Sequence, residues 1–350
     1  MKAHTGKITH SDFKHFLQGK CGKERPEVYV GPQFGVDVSV VDLPNGQAMA
    51  MASDPLSLIP SLGLKESAWL SVQLTANDIA TTGFTPMYGQ FVLNLPAHFS
   101  PKDFKVYWDY IHQFCSTLGI SITGGHTGFV EGQNSTIVGG ATFITMAQKD
   151  QLLISKLASP GDIILVTKSC AISSTAILAK SFPQTVKNKA GIEIFQNACA
   201  SFYDISVMKD ALTAVQDKTE KSITAMHDVT EGGVLGAIYE MAIASGNGAL
   251  INNDQLPIEE TQAKVCEVFS IDPRYSIGAG AMVMTCKKEA VPKILSQFKE
   301  NNIPCTEVGE ITKKNEGIKL LENGRISDLI YQQKNPYWDA FFTAIKSDWK

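Results

Sequence analysis

The sequence lacks several features that mark whole classes of protein. No stretch approaches the roughly 18 consecutive apolar residues of a membrane-spanning helix, and residues 1–10 are too polar for a secretory signal. Positive charge is not in excess, with 31 Lys and Arg against 35 Asp and Glu, which argues against a nucleic-acid partner. The seven cysteines are scattered and form no C-x-x-C pair, so neither a disulfide frame nor a zinc site is expected. These absences predict a cytoplasmic protein with no membrane partner.

The familiar nucleotide and hydrolase motifs are also missing. The sequence contains no G-x-x-x-x-G-K-[ST] and no G-x-G-x-x-G, which argues against a P-loop or a Rossmann nucleotide site. It has no G-x-S-x-G elbow either, which argues against an α/β-hydrolase nucleophile. Any phosphate site must therefore be built in another way.

The composition, 44% hydrophobic and 19% charged over 350 residues, describes an ordinary globular protein long enough for two domains. Strand and helix patterns alternate along the chain, and the pattern resets near residues 152–160. We therefore expect one domain over 1–155 and a second over 156–350. A long helical region is expected over 187–215.

Residues 67–86 contain the most informative helix pattern. Apolar residues recur at helical spacing, and Gly83 and Pro86 are typical stop signals. Two polar residues, Asn77 and Asp78, interrupt this apolar helix. A carboxylate buried without partners is costly, so Asp78 is expected to face a cavity, a cation or hydrogen-bond donors. The alternative is a solvated residue on the helix surface.

A second helix is predicted over 100–119, with Ser100 as N-cap and Gly119 in the left-handed position after the last turn. The strand that follows runs into G-G-H-T-G at 124–128. Paired glycines after a strand can expose backbone N–H groups to an anion. The same pattern is also typical of a tight turn.

Residues 226–233, M-H-D-V-T-E-G-G, precede a predicted helix over 232–244. Thr230 is a plausible N-cap, which would place Asp228 and Glu231 at the positive end of the helix. Helix N-termini bind phosphate, and a phosphate beside two acids would require a divalent cation between them. Plain complementation of the helix dipole explains the acids equally well.

Oxygen ligands near glycine-rich turns suit Mg²⁺ that holds a polyphosphate. The candidate metal ligands are Asp37, Asp54, Asp78, Asp228 and Glu231.

Six segments, taken together, resemble the AIR synthase-related superfamily. They are G-V-D-V-S-V-V at 35–41, S-D-P at 53–55, A-N-D-I-A-T-T-G at 76–83, G-G-H-T at 124–127, P-G-D-I-I-L-V-T at 160–167 and D-V-T-E-G-G at 228–233. The resemblance covers nearly the whole chain. It implies a two-domain AIR synthase-like fold, with an N-terminal ATP-binding domain whose sheet pairs with that of a second subunit and a C-terminal α/β domain.

The resemblance also implies ATP and Mg²⁺ as cofactors, a homodimer, and phosphorylation or ATP activation of a small molecule. The acids at 37, 54, 78 and 228 match metal positions, and Glu231 falls where thiamine-monophosphate kinase has a metal-binding acid. The cofactor-binding candidates are Asn77, Gly124, Gly125, His126, Thr127, Thr230 and Gly232. The catalytic candidates are Asp54, His126 and Lys168.

Departures from the family pattern leave two functions open. Val36 stands where the family has the first acid of a G-D-D, and His126 stands where the kinase has an acid. The superfamily also includes the carbamoyl dehydratase of hydrogenase maturation, which ends in a catalytic cysteine. No cysteine follows Cys305 in this sequence, so that activity is not expected. Cys21 is interpreted as a surface thiol. The chain is thus predicted to be an ATP-dependent enzyme or, alternatively, a nucleotide-binding scaffold without turnover.

Overall fold

A computed structural model describes residues 6–217, 221–332 and 334–350. The first six strands form one sheet in the order β1-β2-β3-β6-β4-β5, in which only β4 and β5 pair in parallel. Their bounds are β1 (Val28–Val30), β2 (Ser39–Asp42), β3 (Gln47–Ser57), β4 (Tyr88–Pro96), β5 (Ser121–Val130) and β6 (Ile137–Gln148).

The remaining strands form a second sheet in the order β13-β12-β9-β11-β7-β10-β8. Their bounds are β7 (Ile163–Thr167), β8 (Ile223–Asp228), β9 (Gly248–Asn252), β10 (Met282–Cys286), β11 (Cys305–Thr312), β12 (Ile318–Glu322) and β13 (Arg325–Asp328). The mixed α/β class is therefore confirmed. One apolar cluster extends from the first sheet into the second, so the two halves share a core.

The α-helices of the described residues are α1 (His10–Phe16), α2 (Leu64–Ala80), α3 (Pro101–Leu118), α4 (Ile172–Ser181), α5 (Pro183–Ala190), α6 (Ile192–Ala200), α7 (Met208–Ala214), α8 (Gly233–Ser245), α9 (Glu260–Val268), α10 (Val291–Glu300) and α11 (Pro336–Lys346). Within these ranges, none of the helices is long and apolar enough to span a bilayer.

Helices α2 and α3 cover one face of the first sheet, because their apolar residues share a core with those of β3 and β4. The predicted caps of α3 are confirmed: Ser100 Oγ accepts a hydrogen bond from Asp103 N, and Gly119 is left-handed. The opposite face of the sheet leaves large apolar side chains exposed, among them Val92, Val130 and Met146.

Three local expectations were wrong. The region 187–215 is not one helix, since Gly191 at φ 97° separates α5 from α6 and a 3₁₀ turn precedes α7. Residues 124–128 are not a loop but part of β5, hydrogen-bonded to β4. Thr230 does not cap α8, because the chain turns once more and Gly232 is the N-cap.

Candidate active site

Four aspartates that are distant in sequence meet where α2 crosses the first sheet. Asp54 lies on the same face of β3 as the core residues Ala52 and Leu56, and therefore points towards α2, which carries Asp78. Asp37 and Asp228 complete the group, since the charges of Asp37, Asp54 and Asp228 all act on the pKa of Asp78. The structure thus brings together all of the predicted metal ligands except Glu231.

Burial raises the pKa values of Asp54, Asp78 and Asp228, and repulsion by neighbouring acids adds to the effect at Asp78 and Asp228. Burial raises the pKa of Asp228 to about 8, and the charge of Asp37 adds to this effect. Burial likewise raises the pKa of Asp54 to about 6. The pKa of Asp78 also rises, through burial and then through the charges of Asp228, Asp54 and Asp37. The folded chain therefore pays an electrostatic cost to hold these groups together.

Within the described residues, the carboxylates of Asp54, Asp78 and Asp228 accept no hydrogen bond. A buried acid normally finds a donor or a counter-ion. An oxygen-rich group of this kind suits a hard divalent cation such as Mg²⁺, which prefers carboxylate ligands. The donor set therefore fits the metal that the sequence predicts.

His227 holds the position of Asp37. Its Nδ1 lies 2.6 Å from Asp37 Oδ2, its Nε2 lies 3.4 Å from Glu240 Oε2, and its side chain is only 3% exposed. Burial opposes protonation, but the charge of Asp37 and the hydrogen bonds outweigh it and raise the pKa of His227 to about 10. One oxygen of Asp37 and the ligand atoms of His227 and Asp228 lie within 4.8 Å of one another. Because both ring nitrogens are engaged, we interpret His227 as an imidazolium that orients Asp37, not as a metal ligand.

A lysine that the sequence gave no reason to select also faces this group. Lys7 Nζ lies 3.2 Å from Glu240 Oε2, and its charge acts on Asp54, Asp78 and Asp228. Burial alone would lower its pKa, but the charges of Glu240 and Asp37 outweigh this and raise it. Burial opposes ionisation of Glu240 as well, yet Lys7 and His227 lower the pKa of that carboxyl to about 2.

The side-chain amide of Asn77 is hydrogen-bonded within the protein, and a nucleotide contact by this residue stays a prediction. Its Nδ2 donates to Ile205 O at 2.9 Å, its Oδ1 accepts from Val207 N at 2.9 Å, and the residue is fully buried. The side-chain amide is already used to join α2 to the segment before α7. The role of Asn77 in this structure is to position the helix that carries Asp78.

The other predicted residues of the segment 230–232 also lie outside the acid group. Glu231 accepts hydrogen bonds from Lys7 N and from Trp338 Nε1, which satisfies both of its oxygens. Thr230 contributes its carbonyl oxygen to Gly233 N and Gly278 N, while Gly232 is buried at the start of α8. Cofactor contacts by Thr230 and Gly232 stay predictions.

The G-G-H-T segment lies at the edge of the sheet. Gly125 shares a row across the strands with Phe91, Ala141 and Asp54, so three strand spacings of about 4.8 Å separate it from Asp54, roughly 14 Å in all. His126 follows Gly125 in the extended strand and therefore projects from the opposite, open face. Thr127 is two residues beyond Gly125 along β5 and pairs with Leu93 of β4. No residue of this segment joins the acid group within one chain, and a cofactor contact by Gly124, Gly125, His126 or Thr127 stays a prediction.

Gly125 has a structural role that is testable. A Cβ added there would lie 1.8 Å from Phe91 O, whereas one added at Gly124 meets nothing within 4 Å, and both residues have positive φ (142° and 157°). We expect Gly125→Ala to lower the free energy of unfolding by about 2 kcal/mol more than Gly124→Ala. Urea denaturation of both variants measures the difference. Equal losses would contradict a steric requirement at Gly125.

Lys168, a catalytic candidate, has partners within the protein. Its Nζ lies 3.0, 2.9 and 3.1 Å from Asp204 O, Ser206 O and Asp210 Oδ2, and a catalytic role stays a prediction. Cys21 is exposed, as expected for a surface thiol. Val36 is partly buried and packs against the core, which is consistent with the absence of an acid there.

Comparison with known proteins places these features in a family. Residues 35–146 match the model of the AIR synthase related protein N-terminal domain, and residues 159–320 match that of the C-terminal domain. Together the two matches span most of the chain.

Curated relatives and solved structures agree with this assignment. The chain is 26% identical over 344 residues to selenide, water dikinase of Methanococcus maripaludis, covering 93% of this chain and 94% of the relative. It is 25% identical over 267 residues to carbamoyl dehydratase HypE of Cupriavidus necator, covering 76% and 73%. Hydrogenase maturation protein HypE in complex with ATP has the same fold, with a TM-score of 0.69 at 19% identity over 93% of both chains. The chain belongs to the AIR synthase-related family.

Proposed function

We propose that this protein is an ATP- and Mg²⁺-dependent enzyme that phosphorylates a small molecule or activates it with ATP. The observation that carries the proposal is a group of aspartates of which three, the buried Asp228 and the partly buried Asp54 and Asp78, accept no side-chain hydrogen bond within the described residues. The dikinase and dehydratase relatives, and the ATP complex of HypE, support the same reaction type. A cytoplasmic location stays part of the proposal.

The chain's own residues would act by holding and orienting. Asp37, Asp54, Asp78 and Asp228 would supply the oxygen ligands, and His227 would keep Asp37 in place through the 2.6 Å contact. When bound, Mg²⁺ neutralises the phosphate charge that develops during phosphoryl transfer. Such a reaction requires mainly positioning and electrostatics, which this rigid group of side chains provides.

Homodimer formation is part of the proposal and explains the exposed face of the first sheet. That face carries Val92 (43% exposed), Val130 (42%) and Met146 (37%), which a partner sheet would bury. The edge strand β5, with His126 on this face, would then lie near the interface. The resemblance implies the same pairing of sheets.

The alternative is a nucleotide-binding scaffold without turnover. Val36 favours it, because one metal ligand of the family pattern is replaced by an apolar side chain that packs on the core. Measuring ATP consumption with a panel of candidate substrates separates the two functions. A scaffold would consume no ATP with any of them.

Calorimetric titration with a non-hydrolysable ATP analogue, with and without Mg²⁺, tests the proposed site. We expect binding that depends on Mg²⁺, because nucleotide phosphates would otherwise meet uncompensated carboxylates. Equal affinity with and without the metal, or no binding in either condition, would contradict the proposal.

A further inference from the structure

The N-terminal residues 6–9, which we name the strap, are attached to the site through both the backbone and the side chain of Lys7. The backbone N–H of Lys7 donates to Glu231 Oε2 at 2.8 Å, and the side-chain ammonium of Lys7 lies 3.2 Å from Glu240 Oε2. Glu240 in turn contacts His227, which contacts Asp37. The strap therefore delivers a positive charge to the edge of the aspartate group.

Glu231 fastens the strap to the other end of the chain. Its Oε1 accepts a hydrogen bond of 3.2 Å from the indole nitrogen of Trp338, in α11. Gly6 packs directly against this pair, since a Cβ there would lie 2.3 Å from Glu231 Oε2 and 2.9 Å from Trp338 Nε1. Both oxygens of Glu231 thus connect the two ends of the chain, and neither is directed to the aspartates.

We propose that Glu231 is a positioning residue: with Trp338 it fastens the strap so that the Lys7 ammonium acts as a resident cation that competes with the divalent metal. The inference rests on the proposed metal site. It assigns Glu231 a different role from the metal ligand that the family resemblance implies.

The electrostatics of the site agree with this arrangement. The positive charge of Lys7 favours the ionised forms of Asp54, Asp78 and Asp228, as a bound metal ion would. The Lys7 side chain nevertheless keeps half of its surface exposed and makes one side-chain hydrogen bond among the described residues. An ammonium held this loosely can be displaced by a dication.

Competition between the two cations is reciprocal by linkage. If the fastened strap weakens metal binding, then metal binding must weaken the attachment of the strap by the same factor. Loosening the strap from either side, at Glu231 or at Trp338, should therefore strengthen metal binding. A ligand role for Glu231 predicts the opposite sign.

The test is a titration of the full chain with Mn²⁺ alone, without nucleotide. We expect Lys7→Met, which removes the charge at similar length, to tighten Mn²⁺ binding on the order of tenfold. Glu231→Gln and Trp338→Phe should tighten it in the same direction by smaller factors. Trp338→Phe tests the same attachment without changing any carboxylate, because it removes the indole donor of the Glu231 hydrogen bond while retaining an aromatic ring beside Tyr337 and Phe342.

The outcomes are distinct. Weaker binding by Glu231→Gln with no change in Trp338→Phe would overturn the inference and restore a ligand role. Unchanged affinity in all three variants would mean that the attachment of the strap to Glu231 and Trp338 is only structural, and would also overturn the inference. If neither the wild-type chain nor any variant binds Mn²⁺, the proposed metal site fails, and the competition fails with it.

A second readout reports on the strap itself. Trypsin cleavage after Lys7, followed by mass spectrometry of the intact chain, should be faster in Glu231→Gln and Trp338→Phe than in the wild type. Added Mn²⁺ should accelerate the same cleavage in the wild type. Metal binding to the wild type with no change in the cleavage rate would overturn the inference while leaving the proposed function intact.

Discussion

Replacing Asp228 with asparagine is expected to abolish Mg²⁺-dependent nucleotide binding and, in the same variant, to raise the stability of the metal-free protein. Asp228 is 3% exposed, and burial together with the charge of Asp37 raises its pKa to about 8. Asparagine removes the repulsion, and its amide can donate to a neighbouring carboxylate. We expect a gain on the order of 1 kcal/mol in the free energy of unfolding and at least about a 100-fold loss of metal-dependent turnover or affinity.

Asp210→Asn is the matched control, because Asp210 is equally buried but has a partner. Its Oδ2 lies 3.1 Å from Lys168 Nζ, and it is 2% exposed. Neutralising it leaves the ammonium of Lys168 without its counter-ion, so this variant should lose stability and keep its metal affinity. Thermal unfolding in EDTA and calorimetric titration measure both quantities. A loss of stability in Asp228→Asn would contradict the idea that the aspartates repel one another.

Local structure was predicted from the sequence where the deciding interactions are local. Ser100 and Gly119 bound α3 because a cap and a left-handed residue act within one turn of the chain. The G-G-H-T segment was misinterpreted because glycine favours turns locally, whereas pairing with β4 holds it in a strand. Gly125 is required there by Phe91, a residue far away in sequence.

The sequence indicates the aspartates of the candidate site but not the cationic side chains beside them. A carboxylate in an apolar helix, such as Asp78, is conspicuous because its burial is costly. Lys7 lies in a polar segment that shows no pattern, and only the fold brings it to Glu240. For His227 a signal did exist, since it adjoins Asp228 in a strand whose other residues are uncharged. For Asn77, no local pattern reveals the hydrogen-bond partners that the fold supplies, the backbones of Ile205 and Val207.

The stability of the metal-free protein should fall as the pH rises from 6.5 to 8. Asp228 has a pKa of about 8 in the folded protein against roughly 4 when unfolded, so in this range the folded state binds more protons at this residue. His227 acts in the same direction: its folded pKa of about 10 exceeds its unfolded value of about 6.5, and its contribution is lost as the pH rises through 10. Since stability falls with pH wherever the folded state binds more protons, each group contributes at most about 1.4 kcal/mol per pH unit.

Other groups set the limits of this window. Glu240, whose folded pKa is lowered to about 2, stabilises the fold above its unfolded pKa, and this contribution is lost as the pH falls towards 2. Asp54, with a folded pKa of about 6, adds to the downward slope mainly between about pH 4 and 6. The metal-free protein should therefore be most stable in mildly acidic solution.

Bound Mg²⁺ should oppose this trend, because the metal binds the deprotonated acids and its affinity rises with pH. Urea denaturation at several values between pH 6.5 and 8, in EDTA and in excess Mg²⁺, measures both slopes. In Asp228→Asn the slope in EDTA should be shallower and should retain the His227 contribution. A slope in EDTA that is flat, or that rises with pH in the wild type, would mean that the aspartates are stabilised in the folded state by something other than a metal ion. The role of the group as a metal site would then be contradicted, because without a divalent cation the burial and repulsion of Asp78 and Asp228 should favour their protonation even beside the Lys7 ammonium.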